Sequence, residues 1–513
     1  MLYKAFRNAA WFPGGFFMLI LKCDKITKAF GDRTLFENVS FEIHAGDRIG
    51  LVGTNGSGKS TLLKLLSGEE RPDSGSIRCY TPLSFLRQQD DGVPEAGDDN
   101  LSGGEKAQLR FVMSYDDASG ILLADEPTSN LDMEGTRYIE KELSDFRGSL
   151  VLVSHDRHLM NRLVNRIFEL SNGQLTVYNG NYSDYVEQRE ARFARSEFEY
   201  QAYVKEKKRL EDRLTERRDN AGKVKKAPSR MGNSEARLHK RGFTEVQKKL
   251  RQGVTSMESR LERLEKKERP TRTEVKLSLA PPRNPVASVA VRGDALTMGF
   301  DGNKLLEDTS FIIPTGLRTA LMGANGTGKT TLAERIRTGH ESLRIAPGVI
   351  IGYFSQSFSL LDENKTLLQN VMEVSTKPEH EVRTVLARLL IKGEDVHKKV
   401  AVLSGGEKVK TSLARLLVSQ ANLIILDEPT NYLDVYSLEA LEGVLQDYTG
   451  TLLLISHDYS FINNTAQRLL LLENSKITTF EGTLTEYEER SRLQEIDLTL
   501  PDYNYPDINL EDL

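Results

Sequence analysis

The chain has 513 residues, of which 39% are hydrophobic and 28% are charged, and its formal net charge is −5. This length allows about three domains, the composition is that of a globular protein, and the overall charge gives no sign of a polyanionic partner. The chain contains two cysteines, Cys23 and Cys79, and no pair with the spacing of a zinc site, which argues against a zinc site and weakly favours a reducing, cytoplasmic compartment.

The N-terminal residues 1–17 contain an apolar stretch that could be taken for a secretory signal. Pro13, Gly14 and Gly15 interrupt that stretch, and no small-residue cleavage site follows it. The segment from Met18 continues directly into a strand-like sequence, so we expect translation to start there and residues 1–17 to be an extension outside the fold. No run of 18 apolar residues occurs elsewhere, and no transmembrane helix is expected.

Four sequence motifs occur twice in the same order. They are the glycine-rich segments 53–61 and 323–331, the LSGGE segments that begin at 101 and 403, the DEP segments 121–132 and 423–434, and the SHD segments 152–160 and 454–462. Such a repeat predicts two homologous α/β domains, at 18–185 and 286–490, rather than a solenoid.

The interdomain segment 186–285 differs in composition from both repeats. Within it, residues 191–270 contain 24 Lys/Arg and 13 Asp/Glu. Apolar residues from Tyr203 to Leu214 and from Val246 to Leu264 recur at helical spacing, and the second set follows a heptad-like seam. Gly222, Pro228 and Gly232 interrupt the pattern, so we predict two antiparallel helices joined by an irregular tip near 219–240.

Both glycine-rich segments match the phosphate-binding P-loop, and each follows an apolar strand, as that motif requires. Glycines let backbone N–H groups converge on phosphate oxygens, and the following helix adds its positive N-terminus. We expect the two lysines to reach the β- and γ-phosphates and Ser60 and Thr330 to bind Mg²⁺. The predicted nucleotide-binding residues are Gly53, Asn55, Gly56, Gly58, Lys59, Ser60 and Thr61, and Gly323, Asn325, Gly326, Gly328, Lys329, Thr330 and Thr331.

The DEP segments end two apolar strands of the kind that a doubly covered parallel sheet contains. We expect the aspartates, Asp125 and Asp427, to hold Mg²⁺ directly or through water. The glutamates that follow them, Glu126 and Glu428, are expected to polarise the attacking water. Phosphoryl transfer depends on positioning and charge stabilisation, which these carboxylates can supply at both sites.

The LSGGE segments make the chain resemble the ABC ATPase family over nearly all of residues 18–490. The resemblance implies that each segment caps the nucleotide held by the other domain. Ser404, Gly405 and Gly406 would close on ATP at Lys59, and Ser102, Gly103 and Gly104 on ATP at Lys329. The resemblance also implies three further roles in each domain. His155 and His457 would be the switch histidines, and Gln88 and Gln356 would be the Q-loop glutamines near Mg²⁺ and the attacking water. Phe30 and Phe300 would be the aromatic residues that stack on adenine.

The two domains differ between the Q-loop and the LSGGE segment. Gln88 precedes Ser102 by 14 residues, whereas Gln356 precedes Ser404 by 48. The first domain has therefore lost most of the helical subdomain that meets the membrane partner in transporters of the family. This loss argues against a transporter ATPase subunit, which stays a less favoured alternative.

Two ATPase domains around a charged helical linker resemble the ABC-F family of translation factors, and the linker tip resembles its antibiotic-resistance branch. The resemblance implies a cytoplasmic monomer with an intramolecular ATP sandwich that binds the E site of the 70S ribosome when ATP-bound. The linker would contact rRNA and P-site tRNA and protect the peptidyl-transferase centre from antibiotics, and hydrolysis would drive release. The candidate tip residues are Lys225, Lys226, Arg230, Met231, Arg237 and His239.

The basic charge is concentrated in residues 220–251, which carry 10 Lys/Arg and two Glu. Phosphate contacts of such a segment would give salt-dependent RNA binding. The tail 491–513 is acidic and predicted to be disordered. A housekeeping ABC-F factor that relieves stalled ribosomes without conferring resistance stays an alternative that the sequence does not separate from a resistance factor.

Overall fold

In a computed structural model, the protein is described for residues 18–31, 33–87, 119–129, 131–223, 248, 252–264, 266–267, 279, 281, 285–300, 303–355, 360–391 and 393–499. The described residues divide between two compact units. One unit combines the ranges Met1–Ser183 and Glu274–Leu513, and the other is Asp184–Thr273. The first unit contains both sequence repeats, which are called the first half and the second half below.

The first half contains a small antiparallel sheet and a larger, mostly parallel sheet. The small sheet has the order β2-β1-β4, and the larger has the order β5-β6-β7-β3-β8-β9 with only β8 and β9 antiparallel. The strands are β1 (Leu19–Phe30), β2 (Arg33–His44), β3 (Arg48–Gly53), β4 (Ser74–Cys79), β5 (Leu83–Leu86), β6 (Ile121–Asp125), β7 (Ser149–Val153), β8 (Arg166–Ser171) and β9 (Gln174–Asn179). The helices are α1 (Lys59–Ser67), α2 (Met133–Asp145) and α3 (Arg157–Leu163), followed by the start of α4 (Tyr182–Lys223).

The second half repeats this arrangement with sheet orders β11-β10-β13 and β14-β15-β16-β12-β17-β18. Its strands are β10 (Val289–Phe300), β11 (Asn303–Pro314), β12 (Arg318–Gly323), β13 (Leu343–Ile345), β14 (Ile351–Phe354), β15 (Leu423–Asp427), β16 (Thr451–Ile455), β17 (Arg468–Glu473) and β18 (Lys476–Glu481). Its helices are α5 (Lys329–Thr338), α6 (Leu367–Met372), α7 (Glu379–Arg388), α8 (Gly405–Leu417), α9 (Val435–Asp447), α10 (Tyr459–Thr465) and α11 (Leu484–Thr499).

The central strands are apolar because both faces of each large sheet are covered. All five residues of β6, β7, β15 and β16 are buried. Parallel strands buried on both faces need continuous apolar sequences, which explains why the DEP segments follow uninterrupted runs of Ile, Leu and Ala. The carboxyl ends of parallel strands meet at one sheet edge, so the residues after β3, β6 and β7 gather there.

A small helical subdomain follows the β14 edge strand in the second half. Helix α6 begins with a capping box in which Thr366 and Gln369 satisfy each other's backbone N–H groups. Helices α6, α7 and α8 bury Val371, Val385 and Leu413 in one core. The corresponding stretch of the first half, residues 88–118, lies outside the described residues.

The linker unit contains most of α4 and a second helical stretch at 252–262. Lys267 pairs with Glu199, Arg260 with Glu206, and Glu258 with Arg218, at 3.7, 3.5 and 2.5 Å. Partners that move forward along α4 move backward along the second stretch, so the two segments run antiparallel. Leu210 and Leu214, which the helical spacing singled out, are buried.

The predicted α/β class with a helical interdomain hairpin is confirmed. The predicted domain bounds stay predictions. The tip candidates Lys225, Lys226, Arg230, Met231, Arg237 and His239, together with residues 1–17 and 500–513, lie outside the described residues.

Candidate nucleotide sites between the two halves

A cavity of about 1130 Å³ lies where the two halves meet, and both P-loops line it. Lys59 and Ser60 of the first half share it with Lys329 and Thr330 of the second. We call the P-loop of the first half with its surroundings site 1, and that of the second half site 2. Both predicted sites thus open into one space bounded by both halves.

Each P-loop turns sharply into its helix at a glycine. Gly58 and Gly328 have φ values of 100° and 101°, in the left-handed region that glycine adopts without a Cβ penalty. The following lysines are buried and fold back onto their own loops. Lys59 Nζ donates to the carbonyl oxygens of Gly53 and Thr54, at 2.9 and 3.2 Å, and Lys329 Nζ makes the equivalent pair of bonds.

Beside each P-loop, the hydroxyl residue meets the aspartate that ends the neighbouring strand. Thr330 Oγ1 donates to Asp427 Oδ1 at 3.3 Å, and Ser60 hydrogen-bonds to Asp125. Burial raises the pKa of both aspartates, and these hydrogen bonds partly offset the rise. In each site, the hydroxyl that follows the P-loop lysine and the aspartate carboxylate therefore lie within hydrogen-bonding distance of each other.

The next residue in each half, Glu126 or Glu428, has an unusual backbone conformation. Their φ values are +51° and +48°, a left-handed conformation that costs free energy in a residue with a side chain. Each backbone N–H still bonds to the neighbouring strand, at Val153 and Ile455. The same backbone conformation occurs at the same place in both halves, and each glutamate lies near its histidine, with His155 Nε2 3.1 Å from Glu126 Oε1 and His457 Nε2 3.6 Å from Glu428 Oε1.

The pKa values of these four groups shift because they are removed from water. Burial, and then the adjacent aspartate, raises the pKa of Glu126 and of Glu428 to about 8. Burial, and then the nearby P-loop lysine, lowers the pKa of His155 and of His457 to about 4. The histidines are therefore neutral near pH 7, and the carboxyl groups titrate close to it, as suits a group that exchanges protons with water.

The second LSGGE segment reaches site 1. Ser404 caps α8, its Oγ accepting from the N–H of Glu407 while the Glu407 carboxylate accepts from the Ser404 N–H. Ser404, Gly405 and Gly406 all line the cavity, and a Cβ on Gly406 would stand 3.5 Å from Asn55 Nδ2 of the first P-loop. A helix N-terminus made of small residues thus lies beside the first P-loop, an environment suited to an anion.

Two aspartates that sequence reasoning gave no role join the halves across the sites. Asp434 Oδ1 caps α9, and its Oδ2 accepts from the backbone N–H of Asn55 at 2.8 Å. Asp132 caps α2 in the same way and accepts from the N–H of Asn325 at 3.1 Å. The only signal in the sequence was the LD pair that ends each DEP segment, and the partner of each aspartate lies in the other half.

Two side chains outside the motifs bond to residues that line the cavity. Arg33 donates to the carbonyl oxygen of Gly56 at 2.9 Å, and Tyr353 OH donates to Asp427 Oδ2 at 3.0 Å. Phe30 lines the cavity with 52% of its surface exposed, and Lys28 Nζ lies over its ring, 5.2 Å from the centroid.

Several predicted site residues are beyond the described part of the chain. They are Gln88, Gln356, Ser102, Gly103 and Gly104. The backbone of Phe300 ends strand β10, whereas its side chain is outside the described part. The described residues contain no group of three or more His, Cys, Asp or Glu that could hold a metal ion by themselves.

Comparison with known protein families gives two matches. The ABC transporter family matches at residues 36–91 and 306–431, and a related extension model, also described as ABC transporter, at 168–279. Ribosome protection protein VmlR of Bacillus subtilis is 30% identical, covering 91% of this chain and 89% of that protein. The erythromycin resistance ATP-binding protein MsrA of Staphylococcus epidermidis is 33% identical, covering 82% and 91%. The chain is an ABC-F family ATPase.

The ABC-F assignment also covers proteins named for translation. The energy-dependent translational throttle protein EttA of Mycobacterium tuberculosis is 28% identical, covering 91% of this chain and 94% of that protein. Among solved structures, RNase-L Inhibitor superposes with a TM-score of 0.58 at 18% identity, covering 92% of this chain and 93% of that one, and thus shares the fold. The predicted tandem ABC fold and the predicted ATP-hydrolysing activity are confirmed. Within the described segments, no helix is both long and apolar enough to cross a membrane.

Proposed function

We propose that this ABC-F ATPase binds the bacterial 70S ribosome while ATP-bound and protects it from antibiotics that act at the peptidyl-transferase centre. The observation that carries the proposal is the cavity shared by both P-loops, together with the bond from each P-loop asparagine to an aspartate of the opposite half. ATP bound in this cavity would contact both halves, so its hydrolysis would change the contact between them. That change would in turn alter the position in which the linker meets the ribosome.

In each site the P-loop would bind the phosphates. Lys59 and Lys329 would exchange their bonds to loop carbonyls for bonds to the β- and γ-phosphates, which is favourable because a charged acceptor replaces a neutral one. Ser404, Gly405 and Gly406 would cap the γ-phosphate at site 1. By the same role, Ser102, Gly103 and Gly104 would cap it at site 2, and Phe30 and Phe300 would stack on adenine.

The residues beside the P-loops fit Mg²⁺. This ion prefers oxygen ligands and usually keeps several waters while binding one or two carboxylates and substrate phosphates. Ser60 with Asp125, and Thr330 with Asp427, supply such oxygens, and Gln88 and Gln356 would complete each set. Bound there, the ion would neutralise charge on the phosphates.

Hydrolysis would use the strained glutamates. Glu126 and Glu428 would each accept a hydrogen bond from the attacking water, and the neutral His155 and His457 would contact the γ-phosphate. Each γ-phosphate would be bound by residues of both halves. Its loss after hydrolysis would therefore weaken the contact that the nucleotide makes between the two halves. Hydrolysis would then release the protein from the ribosome.

The partner is proposed from the relatives and from the linker charge. VmlR is named a ribosome protection protein, and MsrA is named for erythromycin resistance. Residues 220–251, with 10 Lys/Arg against two Glu, suit contact with rRNA and P-site tRNA from the E site. Within that segment, Lys225, Lys226, Arg230, Met231, Arg237 and His239 stay the candidates for contact. A cytoplasmic monomer with an intramolecular ATP sandwich is part of the same proposal.

A second candidate is a translation factor that regulates or rescues ribosomes without conferring resistance. The similarity to EttA, named a translational throttle, spans as much of the chain as the similarity to VmlR, at 28% against 30% identity. Both candidates share the ATP sandwich and the ribosome as partner. They differ in whether expression protects cells from drugs.

A growth assay separates the candidates. The full chain is expressed in a susceptible bacterium, and the inhibitory concentrations of lincomycin, tiamulin and erythromycin are compared with those of cells that express the Lys59→Ala/Lys329→Ala protein at the same level. The resistance candidate requires that the inhibitory concentration of at least one drug rise fourfold or more in cells that express the unaltered chain, and not in cells that express the double variant. No rise for any drug at the peptidyl-transferase centre leaves the translation-factor candidate.

Sedimentation tests the ribosome itself. The Glu126→Gln/Glu428→Gln protein should bind ATP, fail to hydrolyse it and travel with 70S ribosomes in a sucrose gradient. The matched Lys59→Ala/Lys329→Ala protein should stay at the top. If the Gln double variant also stays at the top with ATP present, the ribosome is not the partner, whatever the growth assay shows.

A further inference from the structure

The two nucleotide sites differ at one residue beside the strand-end aspartate. In site 2, Tyr353 OH donates to Asp427 Oδ2 at 3.0 Å, while Thr330 Oγ1 donates to Asp427 Oδ1 at 3.3 Å. Both carboxylate oxygens are therefore held by side-chain hydroxyls that lie on different elements, the tyrosine on β14 and the threonine on α5. A carboxylate held at both oxygens has little freedom to rotate.

The same position in site 1 has no hydroxyl. Tyr353 lies opposite Ile425 in the β14–β15 ladder, two residues before Asp427. Phe85 lies opposite Leu123 in the β5–β6 ladder, two residues before Asp125. The registers are identical, so the two aromatic rings occupy equivalent places, and only the one in site 2 can donate to the aspartate.

The surroundings of Tyr353 fix its ring. It packs against the apolar core of the second half, and the Arg337 guanidinium lies 5.7 Å from the ring centroid. Arg337 is itself paired with Glu334 on the same helix. The ring thus has contacts on its face as well as at its hydroxyl, which favours one orientation of the O–H toward Asp427.

We propose that Tyr353 is a positioning residue that sets the Asp427 carboxylate for the Mg²⁺–nucleotide complex at site 2 and makes that site respond to Mg²⁺ more strongly than site 1. Tyr353 acts through Asp427. The inference rests on the Mg²⁺ role proposed above for Asp427. The hydroxyl keeps Asp427 Oδ2 turned toward β14, and Oδ1 lies toward Thr330 and the P-loop.

The test measures how much Mg²⁺ strengthens nucleotide binding at site 2. The full chain carries Lys59→Ala, so that binding of a fluorescent ADP analogue reports site 2, and affinity is measured in Mg²⁺ and in EDTA. Tyr353→Phe removes only the hydroxyl. We expect the ratio of the two affinities to fall about tenfold, the size expected from one hydrogen bond to a charged group, with the affinity in EDTA unchanged.

Two further variants separate the ways in which the inference can fail. Tyr448→Phe removes another buried tyrosine hydroxyl of the same half, which donates to Ala421 O at 3.1 Å, and should leave the ratio unchanged. Asp427→Asn should lower the ratio more than Tyr353→Phe does. If Asp427→Asn lowers the ratio and Tyr353→Phe does not, Tyr353 has no positioning role. If neither variant lowers it, the proposed role of Asp427 fails as well.

A purely structural role for Tyr353 predicts a different pattern. Loss of packing would weaken binding in Mg²⁺ and in EDTA by the same factor, and the ratio would stay constant. Such a result would overturn the inference, even if the rate of ATP hydrolysis fell.

Discussion

Replacing Glu442 by glutamine should loosen the contact between the two halves, because it removes the carboxylate that is bonded to a buried arginine. Arg157 of α3 and Glu442 of α9 are separated by 285 residues and form a bidentate pair, with Nη1 donating to Oε2 at 3.0 Å and Nη2 donating to Oε1. Only 8% of each side chain is exposed. Asn464 adds a third hydrogen bond to the carboxylate at 3.2 Å.

The magnitude follows from the burial. Removing one partner of a buried pair costs about 3–5 kcal/mol, whereas an exposed pair is worth about 1 kcal/mol or less. We expect Glu442→Gln to cost about 3 kcal/mol, the lower end of the range, because the amide keeps a hydrogen bond to the arginine. The chain offers a control in Arg137–Glu488, a second ion pair between the halves, at 2.8 Å, whose arginine is 65% exposed. Glu488→Gln should cost less than about 1 kcal/mol.

Amide hydrogen exchange measures the loss of stability in individual segments of the chain. In the regime where exchange reports the opening equilibrium, about 3 kcal/mol corresponds to a roughly hundredfold loss of protection. The loss should appear in Arg157–Leu163 and Val435–Asp447, the helices that carry the pair, and should be below about fivefold for Glu488→Gln.

A double variant tests the physical reason. Arg157→Met/Glu442→Met replaces both charges by apolar side chains, which is often neutral for a buried pair. Its protection should therefore return to within about tenfold of the unaltered chain. Equal losses for Glu442→Gln and Glu488→Gln would show that burial does not set the strength of the pair. A double variant as poorly protected as Glu442→Gln would show that the uncompensated charge is not the cause.

Three other outcomes are expected. Glu126→Gln and Glu428→Gln together should lower the rate of ATP hydrolysis, measured by phosphate release, by about 10²-fold or more. ATP binding, measured by equilibrium dialysis, should persist because the missing carboxylates act on the attacking water and not on the phosphates. In the native chain, Ellman's reagent should modify the exposed Cys79 rapidly and Cys23 only after denaturation, because burial raises the pKa of the Cys23 thiol to about 12. Rapid modification of two thiols in the native chain would contradict the burial of Cys23. Replacing the lysines and arginines of 220–251 by glutamine should lower the salt dependence of rRNA binding. The slope of log binding constant against log salt concentration should fall by about 0.7–0.9 for every phosphate that the segment no longer neutralises. An unchanged slope would place the RNA-binding surface elsewhere.

The sequence predicted those parts of the site that are local in the chain. A P-loop is a strand, a glycine-rich turn and a helix in succession, so its apolar run and its glycines predict both the fold and the phosphate site. The strands that carry Asp125 and Asp427 were predictable for the same reason, because continuous apolar sequence is needed where both sheet faces are covered. The buried Leu210 and Leu214 followed from helical spacing.

The residues that sequence reasoning missed depend on partners far away in the chain. Asp434 contacts Asn55, 379 residues away, and nothing local to either residue specifies that pairing. Tyr353 reaches Asp427 because β14 pairs with β15 across an intervening helical subdomain of about 70 residues, a strand order that periodicity does not give. An aromatic residue in an edge strand is ordinarily a packing residue, and only the register places its hydroxyl on a carboxylate.

The positions that distinguish the two sites lie around the repeated motifs and not within them. Both halves contain the same P-loop, aspartate, strained glutamate and histidine, because these groups face the same phosphate chemistry. The aspartates are supported differently, by Tyr353 in site 2 with Phe85 in the equivalent place of site 1. Two ion pairs between the halves that the structure describes also differ in burial, since Arg157–Glu442 is buried whereas Arg137 of the Arg137–Glu488 pair is exposed. Equal motifs therefore do not imply equal sites, because we expect the response to Mg²⁺ and the strength of the contact between the halves to depend on residues outside the motifs.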